Sequence, residues 1–243
     1  MYEKRLKRFL QETSVKNQST SPKALGEDPP KKVSRPRNQL IKLPSIDAIN
    51  LPQTPLDLII KARHTVRLYD PVPMPLETLS YLLYATQGNR DQKKHIVFKT
   101  VPSAGATQPF EVCLLINRVV GIKPGLYQYL DHTHQLNFIS DDASLINDIQ
   151  HASLHDVMTA KAAVLYILIA HHEITAYRYS ERAIRYVFMD SGHVMQNLYL
   201  TATQFDLGMC AIGHYDDELI NQALALNDKA FVIYMATLGK PHA

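Results

Sequence analysis

Arg63-His64-Thr65-Val66-Arg67 sets two guanidiniums four residues apart, with an imidazole and a hydroxyl between them. Such side chains can clamp a phosphate, because arginine presents a planar fork of donors and the neighbours add further hydrogen bonds. The run is equally compatible with a charged helix end. Pro102-Ser103-Ala104-Gly105-Ala106-Thr107-Gln108-Pro109-Phe110 packs small residues between prolines, which lets a backbone and its amides approach something flat and bulky, or simply makes a tight loop. Gly208-Met209-Cys210-Ala211-Ile212-Gly213 and the terminal Leu238-Gly239-Lys240-Pro241 are further glycine-bearing segments. His171-His172-Glu173 has metal-ligand residue types, but neighbours on a strand end point to opposite faces and no third ligand is spaced from them. No metal is expected. The Gly-x-Gly-x-x-Gly, Gly-x-x-x-x-Gly-Lys-Ser/Thr and Gly-x-Ser-x-Gly signatures are absent.

The elements that must position these residues follow from local signals. Thr54-Pro55-Leu56-Asp57 is a helix start, and the helix should run to about Ala62. Pro75 opens another, with Leu76, Leu79, Leu82 and Leu83 as its apolar stripe. Phe110–Ile116 reads as a buried strand, and Gly125–Leu130 with Gln135–Ile139 as a hairpin. Ala162–Ala170, apolar on both faces, reads as a central strand. Ser180 to about Asp206 is a long helix expected to stop at Gly208. Strands at Leu207–Ile212 and Ala230–Leu238 flank a helix starting near Asp216-Asp217-Glu218. This mixture indicates an α+β domain with a mostly antiparallel sheet.

The chain has 243 residues, 46% of them hydrophobic and 20% charged, which suits one folded domain with a substantial core. Its longest apolar run, Ala162 to Ala170, is far short of the roughly 20 residues of a membrane span. No secretory signal is legible, and two cysteines make no disulfide framework, so a cytoplasmic setting without membrane partners is expected. Residues 1–42 hold 11 Lys/Arg against 4 Asp/Glu, a surplus of +7, while the remainder holds 15 against 19, a balance of −4. The basic, Pro- and Ser-containing segment 1–42 reads as a flexible leader, or a strap on a neighbouring subunit, with at most a short helix over Tyr2–Leu10. Its aromatic content is too low for a nucleic-acid stacking platform, so no nucleic-acid partner is expected.

Taken together and in order, these segments resemble the FMN-dependent nitroreductase family, and within it the azoline-oxidising SagB-type dehydrogenases. Arg63–Arg67 is similar to the family's Arg-Arg-Ser-x-Arg phosphate motif. Pro102–Ala106 matches its Pro-Ser-Ala-Gly-Ala loop, and Gly125-Leu126-Tyr127 resembles the branch's glycine-leucine-tyrosine hairpin. Gly192-His193-Val194-Met195-Gln196-Asn197-Leu198 matches its Gly-His-x-x-Gln-Asn-Leu helix. The resemblance covers about residues 43 to 241 and implies a nitroreductase-like fold over 43–243, in a domain-swapped homodimer with FMN at the subunit interface. It further implies that Arg63 and Arg67 hold the phosphate, with His64 beside it and Lys240 assisting. Pro102, Ser103, Ala104 and Gly105 would line the flavin from the partner chain, with Ala211 and Ile212 against its ring.

In the azoline-oxidising branch a Lys-Tyr pair precedes the long helix, and the matching positions here are Arg178 and Tyr179. The change to arginine removes a proton acceptor but keeps a charge that favours deprotonation of the adjacent tyrosine. Arg178, Arg182 and Arg185 could equally be a basic helix face. The resemblance implies oxidation of peptide thiazolines or oxazolines to thiazoles or oxazoles, with a cyclodehydratase and a precursor peptide as partners. An NAD(P)H-dependent nitroreductase acting on nitroaromatics or quinones is the alternative, and a non-catalytic flavin-binding scaffold a third.

Overall fold

The computed structural model describes residues 1–31, 35–93 and 96–242. Helix α1 (Tyr2–Glu12) and strand β1 (Leu40–Lys42) are followed by α2 (Leu56–Ala62), β2 (Tyr69–Asp70) and α3 (Leu76–Gln87). Thr54 does not cap α2; Pro55 occupies the N-cap, so the helix starts later than its sequence signal. A polar hairpin, β3 (Asn89–Lys93) and β4 (Ile96–Lys99), leads to β5 (Phe110–Ile116), β6 (Gly125–Leu130) and β7 (Gln135–Ser140). Helices α4 (Ala143–Ala152) and α5 (Asp156–Lys161) precede β8 (Val164–Ala170). The chain then forms α6 (His172–Tyr179), α7 (Ala183–Gln204), β9 (Gly208–Ile212), α8 (Asp217–Ala223) and β10 (Phe231–Pro241).

The main sheet runs β1-β7-β6-β5-β8-β10-β2, with β9 also paired to β10, and every one of these pairings is antiparallel. Residues on β5 and β8 are buried throughout, and their alternation separates two cores. Val112, Leu114, Tyr166 and Leu168 face one core with α3 and α7, including Leu79, Leu83, Val194 and Leu198. Cys113, Leu115, Ile167 and Ile169 face the other, with Ile149 of α4 and Ile220 of α8. Helices therefore cover both faces, and truncating a side chain such as Leu114 to alanine would cost about 2–5 kcal/mol.

Two expectations are corrected. The long helix does not begin at Ser180: α6 is a separate helix, divided from α7 by a 3-10 turn over Ser180–Arg182, with Ser180 at φ 44 and ψ −131. His171 is consequently a helix N-cap and not a strand end. Nor does Gly208 stop α7, which ends at Gln204 with Phe205 as its C-cap and Asp206 taking the left-handed conformation at φ 53. Gly208 lies inside β9, where a Cβ would sit 2.6 Å from the Val66 Cβ, so the glycine permits a close approach of two segments.

The segment read as a flexible leader contributes β1, which pairs with β7, so the main sheet takes in residues 40–42. Further back, Lys23 N donates to Tyr177 O (2.9 Å), and Arg185 Nε to Thr13 Oγ1 (2.6 Å). Its polar side chains and backbone find partners on the domain even though few of its apolar side chains are buried.

Candidate active site

The Arg63–Arg67 run leaves the C-terminus of α2 and is laid along the start of β9. Val66 N donates to Met209 O (2.9 Å), and Thr65 forms a parallel bridge with Met209. On the far side of β9, Gly239 pairs with Gly208, while Lys240 pairs with Asp70. Backbone pairing thus brings Arg63, His64, Arg67 and Lys240 to one end of β9. The Arg63 guanidinium lies 5.2 Å over the Tyr199 ring, and His64 Nδ1 is 2.9 Å from Ala62 O. Burial pushes the Cys210 thiol up, with the neighbouring Arg67 charge acting against it.

Tyr199, on α7, ties this cluster together, although it was not singled out from the sequence. Its hydroxyl lies 3.3 Å from Thr65 Oγ1 and accepts from Ala211 N (3.0 Å). Ala211 is half-buried on this side. Ile212 has the opposite parity, and its side chain is 3% exposed in the core beside Cys113 and Ile167. Ala211 can therefore present its side chain to a ligand on this face, while Ile212 can present its backbone.

The second cluster surrounds the small-residue loop. Gly105, Ala106 and Gln108 have φ of 57, 54 and 51. Two of these are non-glycine residues in the left-handed region, which costs free energy and points to a site where shape matters. The loop is held by Asp190 of α7, whose Oδ2 accepts from Ala104 N (2.8 Å), and by Ser103 Oγ accepting from Gln108 N (3.0 Å). Burial raises the Asp190 carboxyl, while the Ala104 amide acts in the other direction.

Arg178 and Tyr179, at the end of α6, meet this loop. Arg178 Nη1 donates to Gly105 O (2.6 Å), and its guanidinium lies 5.7 Å over the Tyr179 ring. Tyr179 packs edge-on against Tyr186, with centroids 5.0 Å apart. A cavity of about 550 Å³ opens beside Pro102, Ser103, Gly105 and Arg178 and also carries Arg90 and Lys99. Lys99 is neutralised by Asp131 and bonded to Gln87 Oε1 (2.8 Å); among the described residues no carboxylate lines the cavity.

The two clusters do not meet within one chain. Asp190 and Tyr199 are nine residues apart on α7, which is about 14 Å of axial rise and two and a half turns. The small-residue loop and the Arg63–Arg67 run therefore occupy opposite faces of one helix. Among the described residues no group of three His, Cys, Asp or Glu side chains could hold a metal ion. His171 Nε2 is instead 2.9 Å from Glu111 Oε2. Nor is any described helix long and apolar enough to cross a membrane.

Comparison with known proteins agrees with this geometry. Residues 60–240 match the sequence profile of the Nitroreductase family. A Methanocaldococcus jannaschii protein provisionally named a nitroreductase is 38% identical over 200 residues, covering 82% of this chain and 96% of its own. By fold, the chain is similar to a Ralstonia eutropha protein described as a nitroreductase, with a TM-score of 0.70, 20% identity, and coverage of 89% and 98%. It is also similar to a chain of the Escherichia coli microcin synthetase complex bound to truncated pro-microcin, with a TM-score of 0.64, 17% identity, and coverage of 97% and 93%. A Clostridium difficile FMN-dependent nitroreductase scores 0.52 at 17% identity, over 76% and 87%. With a matched span that takes in the Arg63–Arg67 run, the small-residue loop, α7 and β9, the chain belongs to the nitroreductase family and is an oxidoreductase.

Proposed function

We propose that this chain is an FMN-dependent homodimeric dehydrogenase of the SagB type, converting peptide thiazolines or oxazolines to thiazoles or oxazoles. The observation that carries it is the placement of Tyr179 and Arg178 against the Ser103–Gly105 loop. A proton-accepting oxygen with an adjacent permanent charge, at the wall of a flavin site, is what aromatising an azoline requires. The ring must lose a hydride and a proton.

The residues present fit FMN. The cationic run Arg63, His64 and Arg67, with Lys240 at the same strand end, suits a phosphate. Ala211 and the backbone of β9 offer a small, partly buried wall, and the loop over 102–105 another. FMN supplies the two-electron acceptor for the hydride. Tyr179 Oη takes the proton, with the Arg178 guanidinium lying over its ring, and Arg178 also fixes the loop through Gly105 O. Because α7 separates the two clusters, each site is completed by the loop of a second copy. Apolar side chains suited to that contact are exposed on α2 (Leu56, Leu58, Ile60) and α7 (Ile184, Phe188, Met189). The likeness to the microcin synthetase chain supports a peptide substrate, with a cyclodehydratase and a precursor peptide as partners.

The test contrasts two assays on Tyr179→Phe. This variant should keep its FMN and lose about 10²–10⁴-fold in azoline oxidation. Reduction of nitrofurazone by externally reduced flavin should fall far less. Arg178→Lys should preserve or raise azoline oxidation. Equal losses in both assays with FMN retained would assign Tyr179 to pocket shape. One observation favours a second reading: the cavity carrying Arg90 and Arg178 without a carboxylate suits the phosphates of a nicotinamide dinucleotide, as an NAD(P)H-dependent nitroreductase requires. Stoichiometric NAD(P)H oxidation with nitrofurazone, without azoline turnover, would establish that reading.

A further inference from the structure

Helix α6 is eight residues long, too short to be stable in isolation, and its last carbonyls have no partners within the helix. The leader supplies them. Gln18 Nε2 donates to Tyr179 O, and Lys23 N donates to Tyr177 O (2.9 Å). Tyr177 Oη returns a bond to Glu27 O (3.0 Å).

Beyond the helix, Ser19 N and Oγ donate to the two Glu181 carboxylate oxygens (3.0 and 2.7 Å). Arg182 Nη1 donates to Thr13 O (3.1 Å), and Arg185 Nη2 to Leu10 O (2.7 Å). These contacts bracket Ser180, whose φ of 44 and ψ of −131 are strained for a residue with a side chain. Such a conformation persists only where its surroundings over-determine it.

The other end of α6 is held from the leader as well. Arg35 Nε donates to Glu111 Oε1 (2.8 Å), and the other oxygen of that carboxylate meets His171, the α6 N-cap.

We infer that the leader is the C-terminal cap of α6, and that Gln18 is thereby a positioning residue for Tyr179 and Arg178. The role in turnover rests on the reading of Tyr179 given above; the capping itself does not. Gln18 Nε2 bonds the Tyr179 carbonyl, so it acts on the phenol through the backbone.

The experiment uses full-length Gln18→Ala, with Gln18→Lys as a variant that keeps a donor and Arg185→Ala as an independent release of residues 10–13. In Gln18→Ala, amide hydrogen exchange over residues 176–183 should accelerate by about two- to tenfold, the size of one net hydrogen bond. FMN content should be retained. Azoline kcat should fall about tenfold or more with little change in KM, as expected when a reacting group is displaced, and the pH profile of kcat should move. Gln18→Lys should recover both the protection and the rate.

Parental exchange over 176–183 in both alanine variants would overturn the capping. Faster exchange with an unaltered kcat and pH profile would overturn the positioning role. If Tyr179→Phe oxidises azolines as fast as the parent, the reading of Tyr179 fails instead, and the exchange data judge the cap by themselves.

Discussion

A Cβ placed on Gly105 would lie 2.4 Å from the Tyr179 hydroxyl. The phenol is therefore seated on the loop at its one residue without a side chain, and the left-handed φ of 57 excludes most replacements independently. Gly105→Ala should lower the melting temperature by the equivalent of about 1–3 kcal/mol, the usual cost of overpacking. Deleting the hydroxyl removes the collision, so Tyr179→Phe in that background should recover part of the loss. Thermal unfolding of the four proteins of the cycle measures the coupling, expected at about 0.5–3 kcal/mol. Strict additivity would mean that the two residues do not meet in solution.

The proposed phosphate clamp predicts a defined loss. Arg67→Ala should weaken FMN by about 1.5–3 kcal/mol, the range of a hydrogen bond to a charged group. Calorimetric titration of the apoprotein reads it directly. Parental affinity in the variant would remove Arg67 from the site.

In the proposed homodimer, the division of the site by α7 should make flavin retention depend on assembly. Diluting the holoprotein below its dimer dissociation constant should release FMN in step with dissociation, because a lone chain offers two incomplete halves on opposite helix faces. Sedimentation followed at the flavin absorbance checks this. A monomer carrying a full complement of FMN would contradict it.

Acid should loosen the Arg35–Glu111–His171 contact. Burial alone would raise the Glu111 carboxyl, but the hydrogen bond from His171 and the Arg35 guanidinium outweigh it and hold the group below its usual value of 4.5. A carboxylate with a depressed folded pKa stabilises fully above its unfolded pKa, and that stabilisation is lost as pH falls through the folded value. The melting temperature of the parent should therefore decline below about pH 4.5 more steeply than that of Glu111→Gln. Parallel curves through that window would show that the carboxylate contributes no linkage.

The legible part of the fold was the part that composition dictates. Phe110–Ile116 and Ala162–Ala170 announced themselves because a strand covered on both faces must be apolar throughout. The Pro102–Ala106 loop and the Arg63–Arg67 run were visible as unusual residue types at fixed spacing. Helix α6 was not, since His172–Tyr179 has little apolar periodicity and owes its C-terminal end to partners 150 and 161 residues away in the chain. Tyr199 was hidden for a similar reason: an aromatic in a long amphipathic helix reads as packing until Thr65 and Ala211 are placed beside it. Ile212 could have been separated from Ala211 on strand parity alone. Asp190 had a faint signature, an acid among the apolar positions of α7.

One margin of the main sheet is the three-residue strand β1; at the other, β10 is flanked by the two-residue β2 and by β9, whose outer edge is bridged by Thr65. A strand as short as β1 offers almost no template for another chain, so that margin is guarded against extension of the sheet. The protection at one margin is borrowed from the leader. A chain trimmed before Leu43 would leave the six-residue β7 with a row of unsatisfied amides and carbonyls. Loss of β1 by proteolysis would thus turn a guarded margin into a seed for aggregation.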